Sequence, residues 1–426
     1  MINLKPLSHP LKGTIQAPGD KSISHRSIIL GSLAEGVTTV QNLLLSEDCK
    51  RTIECFKQLG VSFKTTETGI TINGKNFALE EPIEPLYFGN SGTTARLMLG
   101  VLAGQPFFTR VYGDEYLSKR PMMRVINPLK KMGALINGRN NGQLLPLSIT
   151  GNNLESIFYE MPVKSAQVKS SILLATLYSK GRTTIIEKTV TRNHTENMLK
   201  AFGANIMVRN QEITLESSKL IGTNIFVPGD ISSAAFFIVA ALIVPSSSIT
   251  IKNVNLNETR AGILTVLDKM GANYTIKNEK ISNYEAFGDI SIKHQTLRGT
   301  TIQGDLIPLL IDELPIIALL ASQCEGETIV RDAEELRVKE TDRIKATVEV
   351  LKKLGANIVE TKDGMIIKGK TPLTGGSVRS YYDHRIAMMI VIASLISRES
   401  VFLDELDSIK ISYPNFLQDL ETLAEI

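Results

Sequence analysis

The stretch 344-IKATVEVLKKLGANIVETKDGMIIK-368 reads as one helix, one cap and two strands. Ile344, Val348, Leu351 and Leu354 fall at helical spacing, so one face of the segment is apolar. Gly355 stands where a helix ends on a left-handed residue. Beyond it, Ala356–Glu360 and Met365–Lys368 read as strands joined at the Asp363-Gly364 turn. The same phrase recurs at Leu59-Gly60-Val61, Met132-Gly133-Ala134, Phe202-Gly203-Ala204 and Met270-Gly271-Ala272, with successive glycines 73, 70, 68 and 84 residues apart. A sixth, incomplete copy is read at the C-terminal helix, residues 416–426. Units of this length are too long for a solenoid of short repeats and predict stacked α/β layers.

A second duplication divides the chain. Ala17-Pro-Gly-Asp-Lys-Ser22 returns as Val227-Pro-Gly-Asp-Ile-Ser232, each time after a strand-like run and before an apolar helix. Pro-Gly-Asp turns the chain, and Asp or Ser can cap the helix that follows. These turns, near 17–22 and 227–232, are read as two crossings between a domain spanning 20–229 and a domain made of 1–19 plus 230–426.

The composition is that of a soluble globular protein: 426 residues, 43% hydrophobic and 21% charged. With 47 Lys+Arg against 44 Asp+Glu, the net charge of +3 is too small for a field devoted to nucleic acid or an anionic membrane. Anion chemistry, if present, is therefore local. Three cysteines (Cys49, Cys55, Cys324) make no disulfide framework and no zinc spacing, which suits a reducing compartment. The longest apolar run, Ala234–Val244, has 11 residues, against roughly 20 needed to span a bilayer. The N-terminus lacks signal-peptide order, and a cytoplasmic protein is expected.

Several short motifs could hold anions. In 19-GDKSISHRSIIL-30, Lys21, Ser22, His25 and Arg26 lie on a turn and the first helical turn, where backbone N–H groups and the helix dipole favour negative charge. A second turn, 89-GNSGTTARLML-99, opens a helix with small residues, and Gly92 allows close approach of a ligand. A third, 161-MPVKSAQVKSSILLA-175, places Ser165, Gln167 and Lys169 before an apolar helix. Basic clusters on apparent loops follow at 118-SKRPMMR-124 and 191-TRNHTENML-199, with Arg192 and His194 in the latter. The segment 378-VRSYYDHRIAMM-389 sets His384 and Arg385 just before a buried helix. Each motif alone is explained equally well by solvated charge or ordinary capping.

Acid/base candidates stand in 311-IDELPIIALLA-321 and 336-LRVKETDRIKATVEVL-351. Asp312 and Glu313 lie between apolar runs, where an unpaired carboxylate is costly, so each needs a partner or a role. Lys339, Glu340, Asp342 and Arg343 alternate in sign; the bland reading is a salt-bridged helix start, the functional one a carboxylate tuned by flanking cations to donate a proton. Residues 364–371, GMIIKGKT, fit the phosphate-loop expression G-x-x-x-x-G-K-[ST], but the loop positions read as a strand after an Asp-Gly turn and no helix follows.

GDKSISHR, GNSGTTAR, KRPM, SAQVKS, RVKETDR and DHRIAM occur in that order over essentially the whole chain. Together they resemble the 5-enolpyruvylshikimate-3-phosphate synthase family of enolpyruvyl transferases. The resemblance implies an α/β (α+β) fold of two domains, an inside-out α/β barrel built from six βαβαββ-type repeats. It implies transfer of the enolpyruvyl group of phosphoenolpyruvate to the 5-hydroxyl of shikimate 3-phosphate, with release of phosphate, through a tetrahedral intermediate. No metal or organic cofactor is implied, nor any nucleic-acid or membrane partner, and a monomer is expected. The two substrates each carry a phosphate and a carboxylate, which matches small basic clusters spread over both halves of a nearly neutral chain; neither half is expected to hold the complete anion site, and closure of the halves on ligand is expected.

Carried over by motif position, Lys21, Ser22, Arg26, Ser165, Gln167, Arg192, Asp312 and Lys339 match contacts to shikimate 3-phosphate. Lys21, Gly92, Arg120, Gln167, Arg343, Arg385 and Lys410 match contacts to phosphoenolpyruvate, with Asn90, Thr93 and His384 lining the site. Glu340 matches the family's acid, Asp312 its base toward the hydroxyl, and Lys339 a cation beside the leaving phosphate. Lys410 precedes Pro414 by four residues where some members have three. Glyphosate-tolerant members often carry Ala at the position of Gly92, so a sensitive enzyme is expected. Two rivals are weighed: the sister enzyme acting on a UDP-linked amino sugar, UDP-N-acetylglucosamine enolpyruvyl transferase, which usually has a reactive Cys in the loop around 110–120 where this chain has none, and a P-loop nucleotide hydrolase.

Overall fold

In the computed structural model, which describes residues 1–425, the five repeated glycines end five helices in the same way. Gly60, Gly133, Gly203, Gly271 and Gly355 have φ of +86°, +98°, +84°, +81° and +100°. At each, the glycine N–H bonds the carbonyl three residues back and the next N–H reaches five residues back, as in Gly355 to Lys352 and Ala356 to Leu351. This double bond pattern closes the orphan carbonyls of a helix end and requires a residue tolerant of positive φ.

Twelve helices carry the repeats: α1 (Lys21–Leu33), α2 (Glu47–Gln58), α3 (Gly92–Leu102), α4 (Met123–Lys131), α5 (Ala166–Thr176), α6 (His194–Ala201), α7 (Ile231–Ile243), α8 (Gly262–Lys269), α9 (Leu314–Gln323), α10 (Arg343–Lys353), α11 (His384–Ser394) and α12 (Phe416–Ala424). Residue 426, the end of the sixth expected copy, lies outside the described residues. By internal contact the chain forms two units: Gly19–Val227 with Ile281–Glu285, the first unit; and Met1–Pro18, Pro228–Lys280 and the chain from Ala286 onward, the second.

The first unit contains three four-stranded sheets of identical pattern. Leu86–Tyr87 pairs parallel with Phe108–Tyr112, which pairs antiparallel with Leu147–Thr150, itself antiparallel to Leu135–Gly138. Phe158–Glu160, Arg182–Ile186, Glu212–Glu216 and Ile206–Arg209 repeat it. In the third sheet the parallel partner of Val37–Gln41 is Asn224–Phe226, from the far end of the unit's sequence. The second unit has the same design: Lys12–Gln16 pairs parallel with Ser248–Asn255, and Thr301–Ile302 with Gly326–Val330. Its third sheet joins Gly376–Val378, Val401–Leu403 and the N-terminal Ile2–Leu4. Among the described residues there are thus six copies of the βαβαββ type, three per unit, the last incomplete with a sheet of three strands.

Burial separates the two helices of each copy. The first helix of each, α1, α3, α5, α7, α9 and α11, is buried almost throughout; all of Ile231–Ile243 is. The most apolar of them, α7, must be packed on every side. The second helices are amphipathic, with lysines exposed on α2, α4, α8 and α10, and strands such as Glu212–Glu216 alternate buried and open positions, as in a sheet with one wet face. Within each unit, then, three helices form the core and the sheets surround them.

Residues 364–371 do not form a phosphate loop: Met365–Gly369 is an inner strand bonded on both sides, by Gly326–Val330 and Asn357–Glu360, so its N–H groups are committed to the ladder. No helix among the described residues is long and apolar enough to cross a membrane.

Candidate functional site

The six motifs lie at helix N-termini, four at the buried helices α1, α3, α5 and α11 and two at the amphipathic helices α4 and α10, where the first N–H groups need partners. Asp20 caps α1 by accepting from the Ile23 N–H at 2.9 Å, and Ser91 caps α3 at the Thr94 N–H. Ser165 caps α5 at Val168, Asp230 caps α7 at Ser232, and Asp383 caps α11 at the Arg385 N–H. The turns that carry Lys21, Gly92, Gln167 and Arg385 are therefore also structural caps, whereas those before α4 and α6 have no side-chain cap.

In the first unit these ends are tied into one polar network. Lys21 pairs with Asp48 in the first turn of α2. Arg26, 4% exposed, donates to Thr195 Oγ1 at 2.6 Å, to Ser170 Oγ at 2.7 Å and to the Ser22 carbonyl at 2.9 Å. Burial lowers its pKa to about 10, with Arg192 adding to the effect and Glu196 opposing it, so the guanidinium is charged at neutral pH. Arg120 donates to Asn90 Oδ1 at 2.9 Å beside Gly92, where an added Cβ would lie 3.1 Å from Arg120 Nη1. Gln167 accepts from Arg96 and donates to Thr93 at 3.0 Å, joining the starts of α3 and α5. His25, Thr52, Thr94 and Ser91 form a buried chain of side-chain hydrogen bonds linking α1, α2 and α3.

In the second unit the centre is Arg343, the first residue of α10 and 1% exposed. Its guanidinium reaches Asp383 at 2.8 Å, Asp312 at 3.1 Å and Glu340 at 2.6 Å. Burial opposes its charge, but the Asp383, Glu340 and Asp312 carboxylates outweigh that and hold its pKa above the ordinary arginine value. Lys339 and Arg385 approach Asp312 at 3.6 and 3.9 Å. Two carboxylates, Asp312 and Glu340, stay partly open at 13% and 25%, the state a proton-transfer group needs. His384 is buried at the start of α11.

Several sequence readings are revised. Lys169 does not precede its helix but lies inside α5, 1% exposed, paired with Glu187 and Glu196. His194 is not on a loop: it opens α6, is fully buried and bonds Glu285 at 2.9 Å. Of the charges at 339–343, only Arg343 is helical; Asp342 caps α10 and pairs with Arg337. Lys410 is exposed and pairs with Asp407 at 2.8 Å. Sequence reasoning missed Asp48, Ser170, Thr195 and Asp383; only Asp383 left a signal, as a capping residue directly before the His-Arg pair.

The model of the EPSP synthase (3-phosphoshikimate 1-carboxyvinyltransferase) family matches residues 7–420. A 3-phosphoshikimate 1-carboxyvinyltransferase from Oceanobacillus iheyensis is 57% identical over 426 residues, covering 100% of this chain and 99% of its own. Among solved structures, an EPSP synthase from Acinetobacter baumannii superposes with a TM-score of 0.88 at 42% identity, over 99% of this chain and 97% of that one. The enolpyruvyl transferase NikO from Streptomyces tendae, 16% identical with a TM-score of 0.79 over 99% of this chain and 96% of its own, shares the fold. A full-length match to the family model, a relative with more than half its residues identical, and two units of three βαβαββ copies agree: the chain belongs to the EPSP synthase family.

Proposed function

We propose that this transferase moves the enolpyruvyl group of phosphoenolpyruvate to the 5-hydroxyl of shikimate 3-phosphate and releases inorganic phosphate. The supporting observation is the Arg343 cluster, in which Asp312 from one segment meets Lys339, Glu340 and Arg343 from another, with both carboxylates within ion-pair distance of the Arg343 guanidinium and Lys339 near Asp312. In this reading Glu340 delivers a proton to the phosphoenolpyruvate methylene, C2 becomes electrophilic, and Asp312 takes the proton of the attacking hydroxyl. In the second half the methyl carbon of the tetrahedral adduct returns a proton, the bond from C2 to the phosphate oxygen breaks, and Lys339 faces the departing phosphate. Lys21, Ser22, Arg26, Ser165, Gln167 and Arg192 hold shikimate 3-phosphate. Gly92, Arg120, Arg343 and Arg385 hold phosphoenolpyruvate, with Asn90, Thr93 and His384 alongside. The enzyme acts as a monomer in the cytoplasm on these two small molecules, and size-exclusion chromatography with light scattering checks the first point.

The reading is tested by phosphate release from phosphoenolpyruvate with shikimate 3-phosphate, repeated on Glu340→Ala and Asp312→Ala. Release that needs both substrates and is lost in both variants supports it. Full activity in either variant removes that residue from its role.

A further inference from the structure

Lys169 is a charged side chain with no place in the reaction just described, yet it is among the most deeply buried in the protein. An ammonium has three donors, and all three are used: Glu187 Oε2 at 2.8 Å, Glu196 Oε1 at 2.6 Å and the Thr191 carbonyl at 3.3 Å. These acceptors mark out one segment. Glu187 follows the strand Arg182–Ile186, Thr191 directly precedes Arg192, and Glu196 lies in the first turn of α6. Between the anchors Lys188 and Val190 are exposed, and the Thr191 hydroxyl turns back to Glu187.

The same clip bears on Arg26. Ser170, next to Lys169, and Thr195, next to Glu196, both accept from the Arg26 guanidinium and bond each other at 2.6 Å. The position of Arg26 thus depends on α5 and α6 keeping their spacing, which the Lys169–Glu196 pair spans. Buried ion clusters add little net stability over apolar packing, whereas removing one partner strands the others. Without Lys169, two buried carboxylates would face each other, and the direct relief is for the segment 187–196 to move outward. That movement would carry Arg192 and Thr195 with it.

We propose that Lys169 is a positioning residue for the shikimate 3-phosphate end of the site, setting Arg192 directly and Arg26 through Thr195 and Ser170. This rests on the substrate assignment above. The experiment measures the Michaelis constants of both substrates and kcat for the full-length wild type, Lys169→Met, Lys169→Arg and the double variant Lys169→Met/Glu196→Gln, with calorimetric titration of shikimate 3-phosphate alone.

Lys169→Met is expected to raise KM and Kd for shikimate 3-phosphate by about tenfold to 100-fold, the scale of a misplaced positioning group, while KM for phosphoenolpyruvate stays at the wild-type value. Lys169→Arg should recover most of the loss, since it restores the cation. A merely structural role would reduce the folded fraction, lowering apparent kcat with both KM values unchanged; that result overturns the proposal. If Lys169→Met does not fold, the double variant, with one stranded carboxylate removed, decides the matter by the same KM comparison. Wild-type protein that binds shikimate 3-phosphate without turnover would sink the reaction reading but leave the Kd comparison to judge Lys169. Wild-type protein that binds none would sink both.

Discussion

Asp312 and Glu313 are consecutive in the chain, yet Asp312 accepts from Arg343 at 3.1 Å while Glu313 is sealed against Arg260 at 2.8 Å. Glu313 is completely buried and also accepts from Ser232, in a cluster that includes Asp230. One carboxylate is therefore sealed in the core, while its neighbour stays partly open beside Arg343, where the proposed reaction needs it. Asp312→Asn should abolish most phosphate release with little change in the unfolding midpoint. Glu313→Ala strands the Arg260 charge and should cost about 3 kcal/mol in denaturant unfolding. An Asp312→Asn variant as unstable as Glu313→Ala would refute the division.

Glu340→Gln keeps an acceptor for Arg343 but has no carboxylic proton to give. Phosphate release should fall roughly 100-fold or more, the usual contribution of a general acid. Because Glu340 is 25% exposed, thermal melting should shift little. A large drop in melting temperature with modest loss of rate would mark Glu340 as structural instead.

Gly92→Ala would place a Cβ 3.1 Å from Arg120 Nη1 and 3.3 Å from Arg96 Nη1. Both neighbours are ends of long side chains that can yield by a few tenths of an ångström, so the fold should tolerate the change. The cost falls on ligand: KM for phosphoenolpyruvate should rise and inhibition by glyphosate should weaken relative to wild type, which is expected to be sensitive. Ordinary wild-type turnover at millimolar glyphosate would contradict this.

His25 is buried, and its pKa is pushed well below the ordinary 6.5 first by burial and then by Lys21 and Arg26. Its imidazole is neutral in the fold. As pH falls below about 6.5 the unfolded chain binds a proton there that the folded chain refuses, so stability present above that pH is lost by up to about 1.4 kcal/mol per pH unit until the folded pKa is reached. His25→Asn should remove this component, and the difference between the two stability–pH curves should grow below pH 6.5. Parallel curves would show that His25 is not responsible.

Gly203 and Gly271 have positive φ with nothing within 4 Å of an added Cβ, so alanine there is strained only by the backbone. Each substitution should cost about 1 kcal/mol by chemical denaturation. Gly60→Ala, at φ +86° with its Cβ 2.4 Å from the Glu80 carboxyl group, should cost more unless Glu80 swings away. Equal stability of all three variants with wild type would refute the capping role.

Helix ends, turns and the recurring helix–cap–strand phrase were legible because they depend on residues three to five apart, whereas the full βαβαββ unit came only from the family resemblance: Ile344 to Leu354 sets a helix face, and Gly355 can close it wherever the helix lies. The Walker-like 364–371 segment could be rejected on the same local grounds. The wholly apolar run of α7 likewise announced burial on every side. By itself, then, the sequence determined the repeat, its caps and the motifs that begin the buried helices. Only the tertiary structure decided which charges meet. Arg343 joins Asp312 and Asp383 across 31 and 40 residues, and Arg26 joins Thr195 across 169, pairings that no local pattern encodes. A charge costs little on an exposed turn and much in a core, so whether Lys169, Glu313 or Asp312 is structural or functional depends on what surrounds it after packing. That is why a residue read as part of an anion-binding turn proved to be an internal clip, and why two adjacent carboxylates took separate roles.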